Sequence, residues 1–211
     1  MITVLIVDDH PLTRQGIRSE LSKTEDIHVL GEAQNGDEAI LKARELKPDL
    51  VLLDISMPGR NGFEVLRQIH SEMPSIYVLM LSGYSEELYA VRCFSNGAHG
   101  YLTKGSASEE LGKAIRKITQ GRKYVSASAA GALAAEFGCD SNRSKHDRLS
   151  NREFQVLCLL GEGRTVSQIA DLLCLSLSTV NTHRAHILDK MRLDSTAQII
   201  RYVVEQNLIN D

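Results

Sequence analysis

Leu50-Val51-Leu52-Leu53-Asp54-Ile55-Ser56-Met57-Pro58 is the stretch that decides the fold. Four apolar residues run straight into Asp54, and Pro58 breaks the chain soon after. A short continuous apolar run bounded by Pro and Gly reads as a strand buried on both faces. Asp54 then stands where the strand emerges, and in an open parallel sheet ligands bind beyond the carboxyl ends of the strands. Further out, the first strand, Ile2 to Val7, ends the same way in Asp8-Asp9. One strand-end Asp is ordinarily a cap or turn residue; two such ends, together with Lys104, favour a site. Three carboxylates there repel unless a hard cation sits among them. Oxygen-only ligation with waters retained suits Mg2+.

Strand-like and helix-like periods alternate around this centre. Pro11 opens a helix over 11–23 with Leu12, Gly16, Ile17 and Leu21 on one face. A short strand follows at 29–33. Asn35 is placed to cap the next helix, with Glu38 three residues on. A helix with Phe63, Val65, Leu66 and Ile69 follows the central strand. The run 76–81 is a fourth buried strand, ending in Ser82. A weaker helix covers 86–95. Gly100-Tyr101-Leu102 is a fifth strand, followed by Thr103-Lys104. Ser106 and Glu109 have capping-box spacing before a last helix. Five strands alternating with five helices specify a right-handed parallel α/β sheet covered on both faces.

The net charge of −3 excludes a globally basic protein. It resides in residues 1–122; residues 148–211 balance acid against base, so any nucleic-acid surface there is a local patch. Cys93, Cys139, Cys158 and Cys174 show no CxxC pairing, which suits reduced, buried thiols in a cytoplasm. Met1 leads directly into a strand without a basic stretch, so no signal peptide is expected, and no apolar run approaches a membrane span.

Asp8-Asp9, Asp54, Ser82 and Lys104, in this order of elements, resemble the receiver domain of two-component response regulators over roughly the first 120 residues. The resemblance implies a flavodoxin-like (βα)5 fold with strand order 2-1-3-4-5. It implies that Asp54 is the phosphoacceptor, a carboxylate nucleophile that holds an acyl phosphate. Asp9, Asp54 and the backbone carbonyl of Ser56 are the implied Mg2+ ligands, with Asp8 acting through water. Lys104 is the implied partner of a phosphoryl oxygen. Ser82 donates one hydroxyl hydrogen bond to the phosphoryl group, and Tyr101 is the switch aromatic. Many receivers have Pro directly after this Lys, and many relatives with this output type an acidic residue; here Gly105 stands there.

Residues 123–147 read as a linker: 126–137 is Ala-rich and suits a connecting helix, and 138–147 is polar and flexible. Residues 148–211 are helical. Ser150 and Glu153 form a capping box with Leu149 as a hydrophobic staple, and Gly161 and Gly163 stop that helix. A second helix covers 166–173, with Ile169, Ala170, Leu172 and Leu173; a turn at 174–176 leads to a third over 177–191. A fourth covers 196–207. Periodicity alone fits a plain bundle. Gln168-Ile169-Ala170 and the run Ser178 to His183, however, resemble the LuxR-type helix-turn-helix, and the whole chain then resembles a NarL/FixJ-type transcriptional regulator. In that docking mode the second helix of the motif enters the major groove of double-stranded DNA. Val180, Ile187, Leu188 and Met191 mark its buried stripe and place Ser178, Asn181, Thr182 and Ala185 outward. Asn181 is expected to read a base, and Thr179, Arg184 and Lys190 to contact the backbone.

The resemblance implies a cytoplasmic regulator fed by a sensor histidine kinase, dimeric on activation and not an enzyme beyond its own phosphoryl transfer and dephosphorylation. Two alternatives use the same residues. A Mg2+-dependent phosphohydrolase would use Asp54 as nucleophile but has Ser, not a second carboxylate, at position 56. An adaptor would use the helical domain to bind protein rather than DNA.

Overall fold

The computed structural model describes residues 1–84, 86–126, 129–131, 133, 144–206 and 208, the side chains of residues 87, 88 and 107–109 excepted. The chain divides into two compact units, residues 1–136 and 137–211. Most of the expected connecting helix and linker lies outside the described residues.

The first unit alternates strand and helix: β1 (Ile2–Val7), α1 (Pro11–Leu21), β2 (Ile27–Ala33), α2 (Gly36–Leu46), β3 (Leu50–Asp54), α3 (Gly62–Glu72), β4 (Tyr77–Ser82), α4 (Glu86–Ser95), β5 (Gly100–Thr103) and α5 (Ala107–Thr119). The five strands form one parallel sheet in the order β2-β1-β3-β4-β5. Every residue of β3 is buried, as its unbroken apolar run requires of a central strand with helices on both faces. Asp54 pairs with Leu81 in register, and Ser82 with Thr103. The carboxyl ends of β1, β3, β4 and β5 therefore share one edge of the sheet.

Local chemistry explains most helix starts. Asn35 accepts from the Glu38 amide at 2.9 Å, and Asn61 and Glu64 form a reciprocal capping box at α3. Ser106 is a correction: its hydroxyl makes no cap bond and turns back to Thr103. Leu12, expected inward, is exposed on α1.

Among the described residues, the second unit holds a 3-10 turn, Lys145–Arg148, followed by α6 (Asn151–Gly161), α7 (Val166–Leu173), α8 (Leu177–Met191) and α9 (Thr196–Glu205). The turn corrects the expected linker, which reached residue 147. His146 Nδ1 lies 2.9 Å from the Tyr202 hydroxyl, and its ring packs against Phe154, so the domain captures the end of that segment. Ser150 and Glu153 form the expected capping box, and Leu149 and Phe154 are both buried. The two stop glycines differ in role. Gly163 adopts a φ of +78°, while a Cβ on Gly161 would lie 2.2 Å from Val203 Cγ1, so helix contact demands it. Cys158 is buried as expected; Cys174 is exposed, in the left-handed residue that ends α7. Leu172 is exposed too.

Candidate functional site: an acidic pocket at the strand ends and an exposed recognition helix

Asp8 and Asp54 are almost wholly buried at the ends of β1 and β3. Two carboxylates leave water there only with a cation between them. Lys104, one residue past β5, supplies it. Its Nζ donates to Asp54 Oδ2 at 2.8 Å and lies 2.7 Å from Asp8 Oδ2. The Lys104 amide also donates to the Ser82 carbonyl at 2.8 Å, which joins the β5 exit to the β4 exit. Gly105 leaves room for a Cβ, so the lysine is placed by this backbone bond rather than by any need for glycine.

Burial pushes the Asp54 carboxyl up to about 6, Lys104 pulls it down, and the Asp8 carboxylate adds to the rise. Burial alone would lower the Lys104 ammonium, but the facing Asp54 and Asp8 carboxylates hold it above its ordinary range. Asp54 is thus a carboxylate poised to ionise fully once further positive charge arrives.

Asp9 is partly exposed, and His10 Nδ1 lies 2.8 Å from its Oδ1. The His10 amide donates to Asp8 Oδ1 at 2.8 Å. One potential ligand atom from each of Asp8, Asp9, His10 and Asp54 lies within 4.8 Å of the others. Such spacing and a mostly oxygen donor set fit a hard divalent cation. Ser56 is half-buried; its amide reaches toward Asp54 Oδ1 at 3.4 Å.

Ser82 is fully buried, and its hydroxyl accepts from the Tyr84 amide at 3.3 Å. Tyr101 is buried too, and its hydroxyl donates to the Tyr84 carbonyl at 2.8 Å. Burial raises the Tyr101 phenol well above its ordinary value, so it stays protonated as a donor. Sequence reasoning missed Tyr84, His10 and Gly62. Only His10 carries a local signal, as the neighbour of Asp9. Gly62 is forced by packing: a Cβ there would lie 2.1 Å from the Asp54 carbonyl oxygen.

In the second unit, Ser176 caps α8 by accepting from the Thr179 amide at 3.1 Å. Val180, Ile187 and Met191 are buried, and Leu188 is half-buried. Ser178, Asn181, Thr182 and Ala185 are exposed on one face, while Thr179 and Arg184 are half-buried. Asn181 Nδ2 donates to the Leu177 carbonyl at 3.0 Å, and Thr182 Oγ1 to the Ser178 carbonyl at 3.0 Å. Lys190 is occupied within the domain: its Nζ donates to both carboxylate oxygens of Glu153, at 2.9 and 2.6 Å. Glu153 is buried, and its Oε2 also accepts from the Ser150 amide at 2.8 Å. Burial raises that carboxyl, but Lys190 and Ser150 outweigh it and hold Glu153 below its ordinary range.

Residues 4–116 match the response regulator receiver domain, and residues 147–203 match the bacterial regulatory proteins of the luxR family. The chain is a response regulator of the NarL/FixJ family. Over the whole chain, this regulator is 38% identical to response regulator GacA of Pseudomonas aeruginosa, which it covers to 99%. It is 34% identical to response regulator UvrY of Escherichia coli K12 over 100% of this chain and 97% of that one. Among solved structures it resembles RcsB from Salmonella enterica serovar Typhimurium bound to a promoter in the presence of phosphomimetic BeF3-. The TM-score is 0.60 and the identity 26%, over 96% of this chain and 97% of that one. This response regulator therefore joins a receiver to a DNA-binding, LuxR-type output domain and acts in transcription. Among the described residues, no helix is long and apolar enough to cross a membrane.

Proposed function

We propose that this response regulator accepts a phosphoryl group on Asp54 from a sensor histidine kinase in the cytoplasm. One observation carries the reading: Lys104 Nζ bridges Asp54 and Asp8 at the mouth of the sheet, beside the partly exposed Asp9 carboxylate. An Asp54 oxygen attacks phosphorus as the bond to the donor histidine nitrogen breaks, and the product is an acyl phosphate. Asp9, Asp54 and the Ser56 carbonyl would hold Mg2+, with Asp8 acting through water. The cation, when bound, offsets repulsion between the phosphoryl oxygens and the carboxylates. Lys104 leaves Asp54 for a phosphoryl oxygen, and Ser82 supplies a hydroxyl donor. The receiver catalyses only this transfer and its own dephosphorylation. Phosphorylation favours a homodimer, in which two weak DNA contacts gain by effective concentration. On duplex DNA, Asn181 reads a base from the exposed face of α8, with Ser178, Thr182 and Ala185 beside it and Thr179 and Arg184 toward the backbone.

Acetyl phosphate and MgCl2 test the reading through intact mass. The natural protein gains one phosphoryl group, and Asp54→Asn gains none. A phosphoryl group on Asp54→Asn would assign the nucleophile elsewhere.

A further inference from the structure

Asp8 is set by more than its own strand. Its amide donates to the Ala33 carbonyl of β2 at 3.1 Å. Its carbonyl oxygen accepts from Arg14 Nη1 at 2.7 Å. Both backbone polar groups of Asp8 are thus held, and the two peptide planes that flank its Cα, from which the carboxylate projects toward Lys104, are each fixed. Arg14 is itself held. Its Nε donates to Glu32 Oε2 at 3.1 Å, so one guanidinium spans a carboxylate on β2 and a carbonyl at the end of β1. Glu32 sits on β2 beside Ile6 of β1, and Ala33 beside Val7. Arg18 donates to the other Glu32 oxygen at 2.6 Å, and Lys42 Nζ donates to the Glu32 backbone carbonyl. Arg18 first, and Arg14 after it, hold the Glu32 carboxyl below its ordinary range despite partial burial. The side chain of Arg14 is only 15% exposed, whereas that of Arg18 is 52% exposed.

We propose that Arg14, oriented by Glu32, is a positioning residue for the acidic pocket. It acts through the Asp8 backbone and sets the direction of the carboxylate that faces Lys104 and the cation. This rests on the reading of the pocket as a Mg2+-assisted phosphoacceptor site. The chemistry asks for arginine, because a rigid fork reaches two acceptors in fixed directions and an ammonium does not. Arg18 shares Glu32 but does not touch Asp8, so it separates positioning from the mere presence of an ion pair on β2. Outer-shell partners of direct metal ligands commonly change metal affinity by about 10–100-fold when replaced, and Arg14, whose Asp8 acts on the cation through water, is expected at the low end of that range.

The test compares the natural protein, Arg14→Lys, Arg14→Gln and Arg18→Gln as full chains. Calorimetry with MgCl2 measures cation affinity, and acetyl phosphate measures the Mg2+ concentration for half-maximal phosphorylation and the saturating rate. Melting in EDTA checks the fold, and Arg14→Lys stands in if Arg14→Gln does not fold. Both Arg14 variants are expected to bind Mg2+ about tenfold more weakly, with the half-point moving by the same factor and the saturating rate changing less. Arg18→Gln should match the natural protein. Equal Mg2+ affinity in Arg14→Lys and the natural protein, or an equal loss in Arg18→Gln, overturns the positioning role and leaves the phosphoacceptor reading intact. A natural protein phosphorylated without dependence on Mg2+ overturns the Mg2+-assisted reading of the pocket, and the positioning role with it.

Discussion

The Ser56 hydroxyl donates to the Tyr84 hydroxyl at 3.1 Å, which ties the residue two past Asp54 to the residue two past Ser82. Tyr84 also stacks on Tyr89 with ring centres 4.5 Å apart. Through its main chain it meets Ser82 and Tyr101. Tyr84 thereby links Ser56 to Ser82 and Tyr101, the two residues expected to switch, and stands beside the Asp54 pocket. Tyr84→Ala should shorten the life of the acyl phosphate by opening the pocket to water. Tyr84→Phe keeps the ring and loses one hydrogen bond, about 1 kcal/mol, which corresponds to about a fivefold change at most. The decay of the phosphorylated form, followed by intact mass, checks both. Equal half-lives in Tyr84→Ala and the natural protein would count against a shielding role.

The Asp54 carboxyl, raised to about 6 in the folded chain from an ordinary 3.8, makes stability depend on pH. The folded state binds this proton more tightly than the unfolded state, so the stabilising contribution is complete below about 4 and is lost as pH rises through about 6. Asp54→Asn should therefore be more stable than the natural protein at pH 7.5 in EDTA, by on the order of 2–3 kcal/mol. The advantage should shrink toward pH 5. Melting curves across that window decide it; a constant difference would place the burial cost elsewhere.

Lys104→Met removes the cation between two buried carboxylates. Breaking a buried pair costs about 3–5 kcal/mol, and protonation of Asp54 relieves part of that. In EDTA the variant should melt well below the natural protein, and millimolar MgCl2 should return much of the loss because it replaces the missing charge. Melting temperatures with and without MgCl2 test this, and a deficit untouched by the salt would argue against a cation site at the strand ends.

On α8, Asn181 commits one of its two Nδ2 hydrogens to the Leu177 carbonyl, which leaves the other to donate to adenine N7 while Oδ1 accepts from N6. Asn181→Ala should cost about 1–2 kcal/mol on a selected site and little on random duplex. Glu153→Gln, by contrast, frees the Lys190 charge. It should destabilise the output domain and strengthen binding to random DNA, with a steeper salt dependence. Affinities on both duplexes at several salt concentrations separate the two effects. An Asn181→Ala loss equal on both sequences would reduce Asn181 to a backbone contact.

The order of elements was legible from period and punctuation alone. The buried run 50–54, the strand-end acids and Lys104 announced a parallel sheet with its chemistry on one edge. Residues 177–191 declared their helix through the Val180-Ile187-Met191 stripe. These features are local: a strand or helix period and a charge at its end are written in consecutive residues. What only the tertiary structure decided is how residues far apart in sequence share their hydrogen bonds. Lys190 is an ordinary surface lysine in sequence, yet it neutralises Glu153 from 37 residues away. Gly62 is required because α3 begins against the Asp54 carbonyl. Arg14 reaches Glu32 only once β2 lies beside β1. A polar group takes its partner from whatever the packed core brings within about 3 Å, and periodicity carries no record of that neighbour.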